Sequence, residues 1–452
     1  MTRAPLRVLA VDLGATSVRV VAVDLDAPEP AAQVLHRWHH QPVRHQDGSL
    51  RWDWHGILRE VERGLELGLA AGPVASIGVD GWGVDYGLLD GRGALLSPPY
   101  CYRDERTQGW RTTAERIGAD HLYAVTGIQL LHLNTIFQLA AHDRSELRRA
   151  ARLLLLPDLV VRMLTGFEGA ERSNASTTAL LDAQTGAWSA ELLEAVGLDP
   201  TLLPPIVPAG LAVGSWRGVG VHTVGSHDTA SAFVGVPGVP GSGSVVVSSG
   251  TWVLVGAERP TADTSEKARD ANFSNEAGAL GGVRFLKNVT GFWLLEQCRA
   301  AWGNPTVEEL VAAAAGVRGP VRTVDPADAR FLAPADMEAE IRTAAGLGIT
   351  ASRAEVVRCI LESIASATAR ITDELVAVTG TPVDELLVVG GGARIRLMNE
   401  LYGRHAGVPV TVGSPEAAAL GNAVVQGLAL GQFERLEDAR RWLAIGAERL
   451  VM

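Results

Sequence analysis

Two strand–turn–strand segments, far apart in the chain, constrain the fold more than any other feature. The first has the β-branched runs Val8–Val11 and Val18–Val23 on either side of a turn at 12–17. The second repeats this pattern over Val245–Val255, with its turn at 248–251. Apolar β-branched runs that flank a Gly/Ser/Thr turn are typical of β-hairpins. A similar hairpin in each half of the chain indicates an internal structural repeat.

The length and the alternation of patterns predict an α/β protein with two domains. A chain of 452 residues is too long for one compact core. The stretch 236–243 is rich in Pro and Gly, so we expect one domain over 1–237 and a second over 238–452. Periodicity predicts strands at 77–80 and 386–389, helices at 55–69, 287–302, 306–316, 352–379 and 417–428, and largely helical structure over 105–200.

Composition excludes several classes of protein. The net charge of −11 argues against a nucleic-acid binder, which would carry a basic patch. The uncharged stretch 229–257 could span a bilayer, but its Pro, Gly and Ser/Thr residues favour strands and turns. Cys101, Cys298 and Cys359 lack the spacing of a zinc site or a disulfide framework, so we expect buried thiols. We predict a cytoplasmic protein without a signal peptide or transmembrane helix.

Three small-residue turns, at 14–17, 249–251 and 390–392, could hold phosphate groups through backbone N–H groups. The chain has no P-loop motif, so any phosphoryl transfer would use a different cradle. Asp12, beside the first turn, could be a Mg²⁺ carboxylate or could close an Asx turn. Asp228 could be a general base for a hydroxyl group or the N-cap of a helix.

Histidine and tryptophan clusters have alternative interpretations. Four histidines lie within 36–45, but matching carboxylate or cysteine ligands are missing, so a solvated strand and loop is favoured over a metal site. Trp52 and Trp54 alternate as on a strand edge, where packing is the default and sugar stacking is the alternative.

These motifs resemble the FGGY family of carbohydrate kinases, in the actin-like and hexokinase-like ATPase superfamily. The resemblance runs through nearly the whole chain, over 11–15, 77–85, 102–107, 127–129, 134–135, 174–178, 226–231, 248–252, 286–288, 389–392 and 416–422. It implies two actin-like, ribonuclease-H-like α/β domains around a central cleft. The N-terminal domain would hold the sugar side and the C-terminal domain the nucleotide side.

The blocks at 81–85, 226–230 and 286–288 are most similar to family members that phosphorylate L-rhamnulose. This resemblance implies transfer of the ATP γ-phosphate to the C1 hydroxyl of that ketose, with Mg²⁺ at Asp12 and Asp228 as proton acceptor. The implied sugar-contacting residues are Gly83, His227, Asp228, Thr229 and Asn288. The implied nucleotide-contacting residues are Ala15, Thr16, Ser17, Val18, Arg19, Thr251, Glu296 and Gly391.

Glu296 departs from the family pattern, which has a glutamine there, and a carboxylate cannot donate the hydrogen bonds of an amide. The partners implied are a ketose and ATP, without nucleic acid or membrane, in a monomer or homodimer. A kinase of another ketose, such as L-fuculose or xylulose, is the alternative within the enzyme class. A non-catalytic regulator that binds sugar and ATP is the alternative outside it.

Overall fold

The computed structural model describes residues 6–238, 241, 243–332 and 334–451. Its strands are β1 Arg7–Gly14, β2 Ser17–Asp24, β3 Ala32–His39, β4 Val43–Arg44, β5 Leu50–Arg51, β6 Ser76–Gly81, β7 Tyr86–Leu89, β8 Arg152–Leu155, β9 Ala170–Glu171, β10 Ile206–Val207, β11 Ala212–Trp216, β12 Val219–His222, β13 Ser244–Ser249, β14 Trp252–Arg259, β15 Ser274–Ala277, β16 Val283–Thr290, β17 Glu385–Val389, β18 Val410–Val412 and β19 Glu448–Leu450.

The α-helices alternate with these strands. They are α1 Trp54–Ala70, α2 Trp110–Ile117, α3 Ala119–Thr126, α4 Thr135–Ala140, α5 Arg144–Arg149, α6 Leu156–Thr165, α7 Arg172–Ala175, α8 Ala190–Ala195, α9 Asp228–Val234, α10 Glu266–Asp270, α11 Trp293–Ala301, α12 Val307–Ala315, α13 Met337–Ala345, α14 Arg353–Thr379, α15 Arg396–Ala406, α16 Ala417–Ala429 and α17 Leu436–Leu443.

The described chain forms two compact units. The first runs up to Gly235 and also includes Glu258–Phe285 and Ala417–Ile445. The second comprises Val236–Ala257, Leu286–Glu416 and the residues from Gly446 onward. The domain boundary that we predict at 237/238 stays a prediction. Part of the predicted linker, at 239, 240 and 242, lies outside the described residues.

The sheet of the first unit has the strand order β11-β12-β6-β1-β2-β3. The predicted hairpin is confirmed, because β1 pairs with β2 antiparallel through a tight turn at Ala15 and Thr16. β1 also pairs with β6 in parallel. Asp12 therefore lies inside β1, paired on both sides, and the Asx-turn interpretation is wrong. Helix α1 begins as predicted, since the Asp53 carboxylate accepts a hydrogen bond from Gly56 N at 3.0 Å.

The second unit repeats this arrangement of strands. β13 pairs with β14 antiparallel through a turn at Gly250 and Thr251, and it pairs with β17 in parallel. Each unit thus has a hairpin whose first strand also lies beside a later parallel strand. The structural repeat that the two hairpins predict is confirmed.

Helix α14 is confirmed, and local sequence sets both of its ends. Ser352 N donates to the Glu355 carboxylate at 2.7 Å, while the Ser352 side chain accepts from Glu355 N, which forms a capping box. The helix ends at Gly380, which has the left-handed φ of 70°.

One of the predicted secondary-structure assignments needs correction. Residues 287–290 belong to strand β16, and the helix predicted at 287–302 exists only as α11. The β-branched Val289 and Thr290 favour a strand, and Gly291 separates that strand from the helix. Helices predominate over 105–200, as predicted, with the short strands β8 and β9 between them.

All three cysteines are buried free thiols, as predicted. Within the described ranges, no helix combines the length and the hydropathy needed to cross a membrane.

Helices α9 and α16 cross at close backbone contact. A Cβ atom added at Gly421 of α16 would lie 1.8 Å from the carbonyl oxygen of Ser231 in α9. One added at Gly235, just after α9, would lie 2.1 Å from the carbonyl oxygen of Ala417. Because the obstacles are backbone atoms, no side-chain movement could make room. The absence of a side chain at these two glycines thus sets the position of α9.

We expect Gly421→Ala to lower the free energy of unfolding by about 1–3 kcal/mol, because α9 and α16 must separate to admit the methyl group. Urea denaturation of purified protein measures the change. Gly91→Ala is the control, since no atom lies within 4 Å of its added Cβ. Equal stability of the two variants would contradict the crossing as described.

Candidate active site

Three charged side chains occupy one row across the first sheet. The parallel register of β1 and β6 pairs Asp12 with Asp80, and the antiparallel register of β1 and β2 pairs Asp12 with Arg19. The Arg19 guanidinium forms an ion pair with the Asp12 carboxylate. Asp12 and Asp80 are both buried. The strand pairing itself therefore brings two carboxylates and one cation together.

Asp80 is held from the side of α16. Its Oδ2 accepts a hydrogen bond from Asn422 Nδ2 at 2.6 Å, and Gln426 Nε2 donates in turn to Asn422 Oδ1 at 2.7 Å. Its Oδ1 is buried and has no hydrogen-bond partner among the described residues. Burial, followed by the charge of Asp12, raises the pKa of Asp80 well above its ordinary value, and the charge of Asp228 contributes further.

Asp228 is the first residue of α9, beside the end of β6. Gly81 of β6 forms a parallel bridge with His227, and Gly81 N donates to Ser226 O at 2.9 Å. The N-cap interpretation of Asp228 is wrong, because His227 occupies the N-cap position. Thr229 Oγ1 donates to Asp228 Oδ1 at 3.1 Å, and the Asp228 side chain remains 30% exposed. An accessible carboxylate thus lies near two buried ones.

Gly83 lies two residues after Gly81, which forms the bridge with His227. A Cβ at Gly83 would lie 2.9 Å from Thr177 Oγ1. Next to it, Val84 has a φ of 70°, in the left-handed region that β-branched residues avoid. The Val84 carbonyl accepts from Thr135 Oγ1 at 2.7 Å, which helps to hold this conformation. Backbone strain of this kind occurs at ligand sites.

The Asp85 carboxylate accepts hydrogen bonds from several residues near Gly83, two of which are tryptophans. The donors are Trp52 Nε1 at 2.7 Å, Trp82 Nε1 at 3.0 Å, Gln138 Nε2 at 3.0 Å and Tyr102 N at 3.2 Å. Burial raises the pKa of Asp85 to about 6, so the carboxyl is mostly ionised at neutral pH. Trp52 is 2% exposed and its ring lies 4.5 Å from that of Trp82, which agrees with packing.

The histidine cluster at 36–45 divides into exposed and buried members. His39 and His45 are exposed, as predicted. His40 is buried, with its Nε2 3.0 Å from the Gly14 carbonyl oxygen, so the prediction of a solvated segment is wrong there. Burial lowers the pKa of His40 to about 4. The described part of the chain contains no group of three or more His, Cys, Asp or Glu side chains that could hold a metal.

The predicted nucleotide-contacting residues of the first hairpin differ in their exposure to solvent. Thr16 is exposed at the tip of the turn, with Ala15 half-buried beside it. Ser17 is buried, and the Val18 side chain lies wholly in the core. Arg19 is committed to its ion pair with Asp12. The exposed surface of this hairpin is therefore its two-residue tip.

In the second unit, the parallel pairing of β13 with β17 places two turns at one sheet edge. These are the hairpin turn that contains Thr251 and the glycine turn that begins at Gly390, where φ is 85°. A Cβ at Gly392 would lie 2.2 Å from Ser249 Oγ, whereas one at Gly391 would meet no atom within 4 Å. Thr251 and Gly391 are therefore brought together, and Gly391 has open space around it.

Two further predicted residues lie after the hairpin of the second unit. Asn288 is on β16, and Glu296 is in the first turn of α11. The Glu296 Oε2 atom accepts from Arg299 Nη2 at 2.7 Å and from Arg299 Nε at 3.1 Å. Glu296 is therefore engaged as an acceptor, consistent with its being a carboxylate.

Comparison with protein families identifies the class to which this fold and site belong. Residues 7–235 match the N-terminal domain, and residues 245–430 the C-terminal domain, of the FGGY family of carbohydrate kinases. The chain belongs to this family and is a sugar kinase that uses ATP as its co-substrate.

Individual proteins named rhamnulokinase are similar to this chain over most of its length. The chain is 38% identical over 451 residues to the rhamnulokinase of Pectobacterium carotovorum, an alignment that covers 96% of this chain and 90% of the relative. It is 37% identical over 454 residues to the rhamnulokinase of Enterococcus faecalis, covering 96% and 91% of the two chains.

Solved structures of other kinases share the fold. A ligand-bound xylulose kinase from Lactobacillus acidophilus superposes with a TM-score of 0.77 at 17% identity, covering 98% of this chain and 92% of that one. A Plasmodium falciparum glycerol kinase with ADP gives 0.75 at 15% identity, covering 97% and 92%. The predicted actin-like, two-domain α/β class is confirmed.

Reasoning from the sequence missed Asp80 as a member of the site, although Asp80 lies in one of the matching blocks. Its role depends on the register between β1 and β6, which the sequence does not show. Glu276 and Arg284 were also missed. Both are charged yet almost fully buried, at 4% and 1% exposure. No local pattern marks them, because β15 reads Ser-Asn-Glu-Ala and β16 also carries Lys287 and Asn288.

We expect Asp85→Asn to lower the free energy of unfolding by about 1–3 kcal/mol at neutral pH, because the amide NH₂ would face N–H donors that need acceptors. Chemical denaturation measures this change. The exposed Asp373→Asn serves as control, with a change within about 0.5 kcal/mol. If the two variants had the same stability, Asp85 would not organise this cluster.

Proposed function

We propose that the protein transfers the γ-phosphate of ATP to the C1 hydroxyl of L-rhamnulose. The observation that carries the proposal is 36–38% identity to proteins named rhamnulokinase, over 96% of the chain. The site is compatible with this similarity, because Gly81, two residues before Gly83, forms a bridge with His227, and Thr229 donates a hydrogen bond to Asp228.

In this proposal, Asp228 is the general base that accepts the proton of the C1 hydroxyl. Its carboxylate is accessible, and its Oδ1 already accepts one hydrogen bond from Thr229. The buried Asp80 lies near enough for the charge of Asp228 to raise its pKa. Asp80 would in turn influence the electrostatic potential at the Asp228 carboxylate. His227, Gly83, Thr229 and Asn288 would contact the sugar.

The residues around Asp12 fit Mg²⁺. Carboxylate oxygens are the protein ligands that Mg²⁺ prefers, and it binds through one or two of them while it keeps several waters. Asp12 and Asp80 offer such a pair in matched register, and Asp80 Oδ1 has no hydrogen-bond partner among the described residues. When bound, Mg²⁺ would neutralise phosphate charge. Asp12 would be its principal carboxylate.

Apart from Glu296, the proposed nucleotide-contacting residues lie in or next to small-residue turns, one in the first unit and two in the second. Backbone N–H groups at the two-residue tip of the first hairpin, Ala15 and Thr16, would face phosphate oxygens, with Ser17, Val18 and Arg19 of β2 directly behind them. Thr251 and Gly391 would supply a second surface, where the open space at Gly391 admits close approach. In a direct contact with the nucleotide, the Glu296 carboxylate would only accept hydrogen bonds. Any donor at this position would be Arg299, which Glu296 binds.

The assignment of the sugar is tested with a panel of ketoses. We expect ATP-dependent phosphorylation of L-rhamnulose with a higher kcat/KM than for L-fuculose or D-xylulose, since each lost hydroxyl contact discriminates between sugars. A coupled ADP-release assay with Mg²⁺ measures all three. A higher kcat/KM for another ketose would leave the sugar kinase in place and exclude L-rhamnulose as the preferred substrate.

We expect Asp228→Asn to lower kcat by about 10²-fold or more, because the amide cannot accept the hydroxyl proton, while the Kd for the ketose changes little. Steady-state kinetics and calorimetric sugar binding measure the two quantities. Asp120→Asn is a matched control, since Asp120 also lies in the first turn of a helix but is 79% exposed. Retained turnover in Asp228→Asn would exclude Asp228 as the base.

A further inference from the structure

A buried ion pair contacts the ring nitrogen of His227 that does not face Asp228. Arg284 on β16 and Glu276 on β15 are almost fully buried, with Nη1 and Oε2 3.1 Å apart. Arg284 Nε also donates to the Ala277 carbonyl oxygen at 3.1 Å, which fixes the plane of the guanidinium. A buried pair of this kind is no strong source of stability, since desolvation offsets its attraction. Its position behind His227 needs another explanation.

The geometry around His227 decides where its ring proton lies. Arg284 Nη2 lies 3.2 Å from His227 Nδ1 with the geometry of a hydrogen bond. A guanidinium can only donate, so Nδ1 must accept, and the proton of the neutral ring is then on Nε2. Glu276 Oε2 lies 3.3 Å from the same Nδ1 and would favour a proton there. The contact between Glu276 and His227 lacks hydrogen-bond geometry, whereas the contact between Arg284 and His227 has that geometry.

The charge of Glu276 is already matched by Arg284. Burial alone would raise the pKa of Glu276, but the charge of Arg284, followed by the close contact with His227 and the hydrogen bond from Ser274, more than offsets it, and the pKa lies at about 2. Glu276 is therefore ionised at neutral pH. It balances the buried guanidinium, which can then act as a donor to His227 without leaving an uncompensated charge.

The other ring nitrogen faces the proposed base. His227 Nε2 lies 3.6 Å from Asp228 Oδ1, too far for a hydrogen bond but on the same side as the accessible carboxylate. A proton on Nε2 makes His227 a donor toward this region. A bare Nε2 would instead make His227 an acceptor that competes with Asp228 for the hydroxyl proton.

We propose that Arg284 is a positioning residue that holds His227 as the Nε2–H tautomer, so that His227 donates toward Asp228 and the sugar oxygen. Glu276 supports this role of Arg284, because its carboxylate balances the charge of the guanidinium. The part that concerns the sugar rests on the proposed function. Proton acceptance is thereby left to Asp228 alone.

The tautomer is measured directly on the full chain without ligands. Long-range ¹H–¹⁵N spectra of ¹⁵N-histidine-labelled protein distinguish protonated from unprotonated ring nitrogens, and the signals of His227 are assigned by their loss in His227→Asn. We expect an unprotonated Nδ1 and a protonated Nε2. The reverse pattern would overturn the proposal and would assign the proton to the contact with Glu276. Because the measurement needs no substrate, it is independent of the proposed sugar.

Variants test the consequence for the reaction. We expect Arg284→Lys to give mixed tautomers of His227 and to lower kcat/KM for the ketose by about 10-fold or more, because the donor geometry is lost. Arg217→Lys is the control, since Arg217 pairs with Glu66 at the surface of the same unit. Glu276→Gln, which keeps the shape of the side chain, serves as the second variant if Arg284→Lys does not fold.

The outcomes separate the two proposals. A folded Arg284→Lys with an unchanged tautomer, or with a changed tautomer and unchanged kcat/KM, would overturn the positioning role. If the wild-type protein showed the Nε2–H tautomer but phosphorylated none of the ketoses, the proposed function would fail and the assignment of the proton would stand.

Discussion

The pairing of β1 with two neighbours is the interaction on which the rest of the candidate site depends. β2 on one side brings Arg19 opposite Asp12, and β6 on the other side brings Asp80 opposite Asp12. Side chains alternate between the faces of a sheet, so a slip of one residue in either pairing would separate these charges. Backbone hydrogen bonds thus fix a charged row that mutual repulsion of two carboxylates would otherwise disperse.

The remaining elements hold carboxylates in distinct environments around this row. Asp80 is buried and held by Asn422 of α16, whereas Asp228 is accessible at the start of α9. The close crossing of α9 and α16 fixes both positions, because it leaves no room for a side chain at Gly421. Groups of the same chemical type therefore differ in exposure, and of these two carboxylates Asp228 is the one that a bound molecule could reach.

Local patterns predicted much of this structure, and the errors have physical causes. Both hairpins, α1 with its Asp53 cap, and α14 follow from residues close in sequence. The helix predicted at 287–302 was wrong over 287–290, because the β-branched Val289 and Thr290 favour the strand β16, which lies between β14 and β15 in the sheet. The prediction that His40 is solvated is wrong, because its ring reaches the Gly14 carbonyl oxygen through a contact that the sequence does not show.

The sequence by itself determined the family, the α/β class, the repeated hairpin and the prominence of Asp12 and Asp228, because each rests on short contiguous motifs. Only the tertiary structure decided which residues surround them. Asp80 joins Asp12 through strand register, and Arg284 and Glu276 meet His227 although more than 45 residues separate them in the chain. The environment of a charge depends on burial and on neighbours brought together by folding, and neither is encoded in a local pattern.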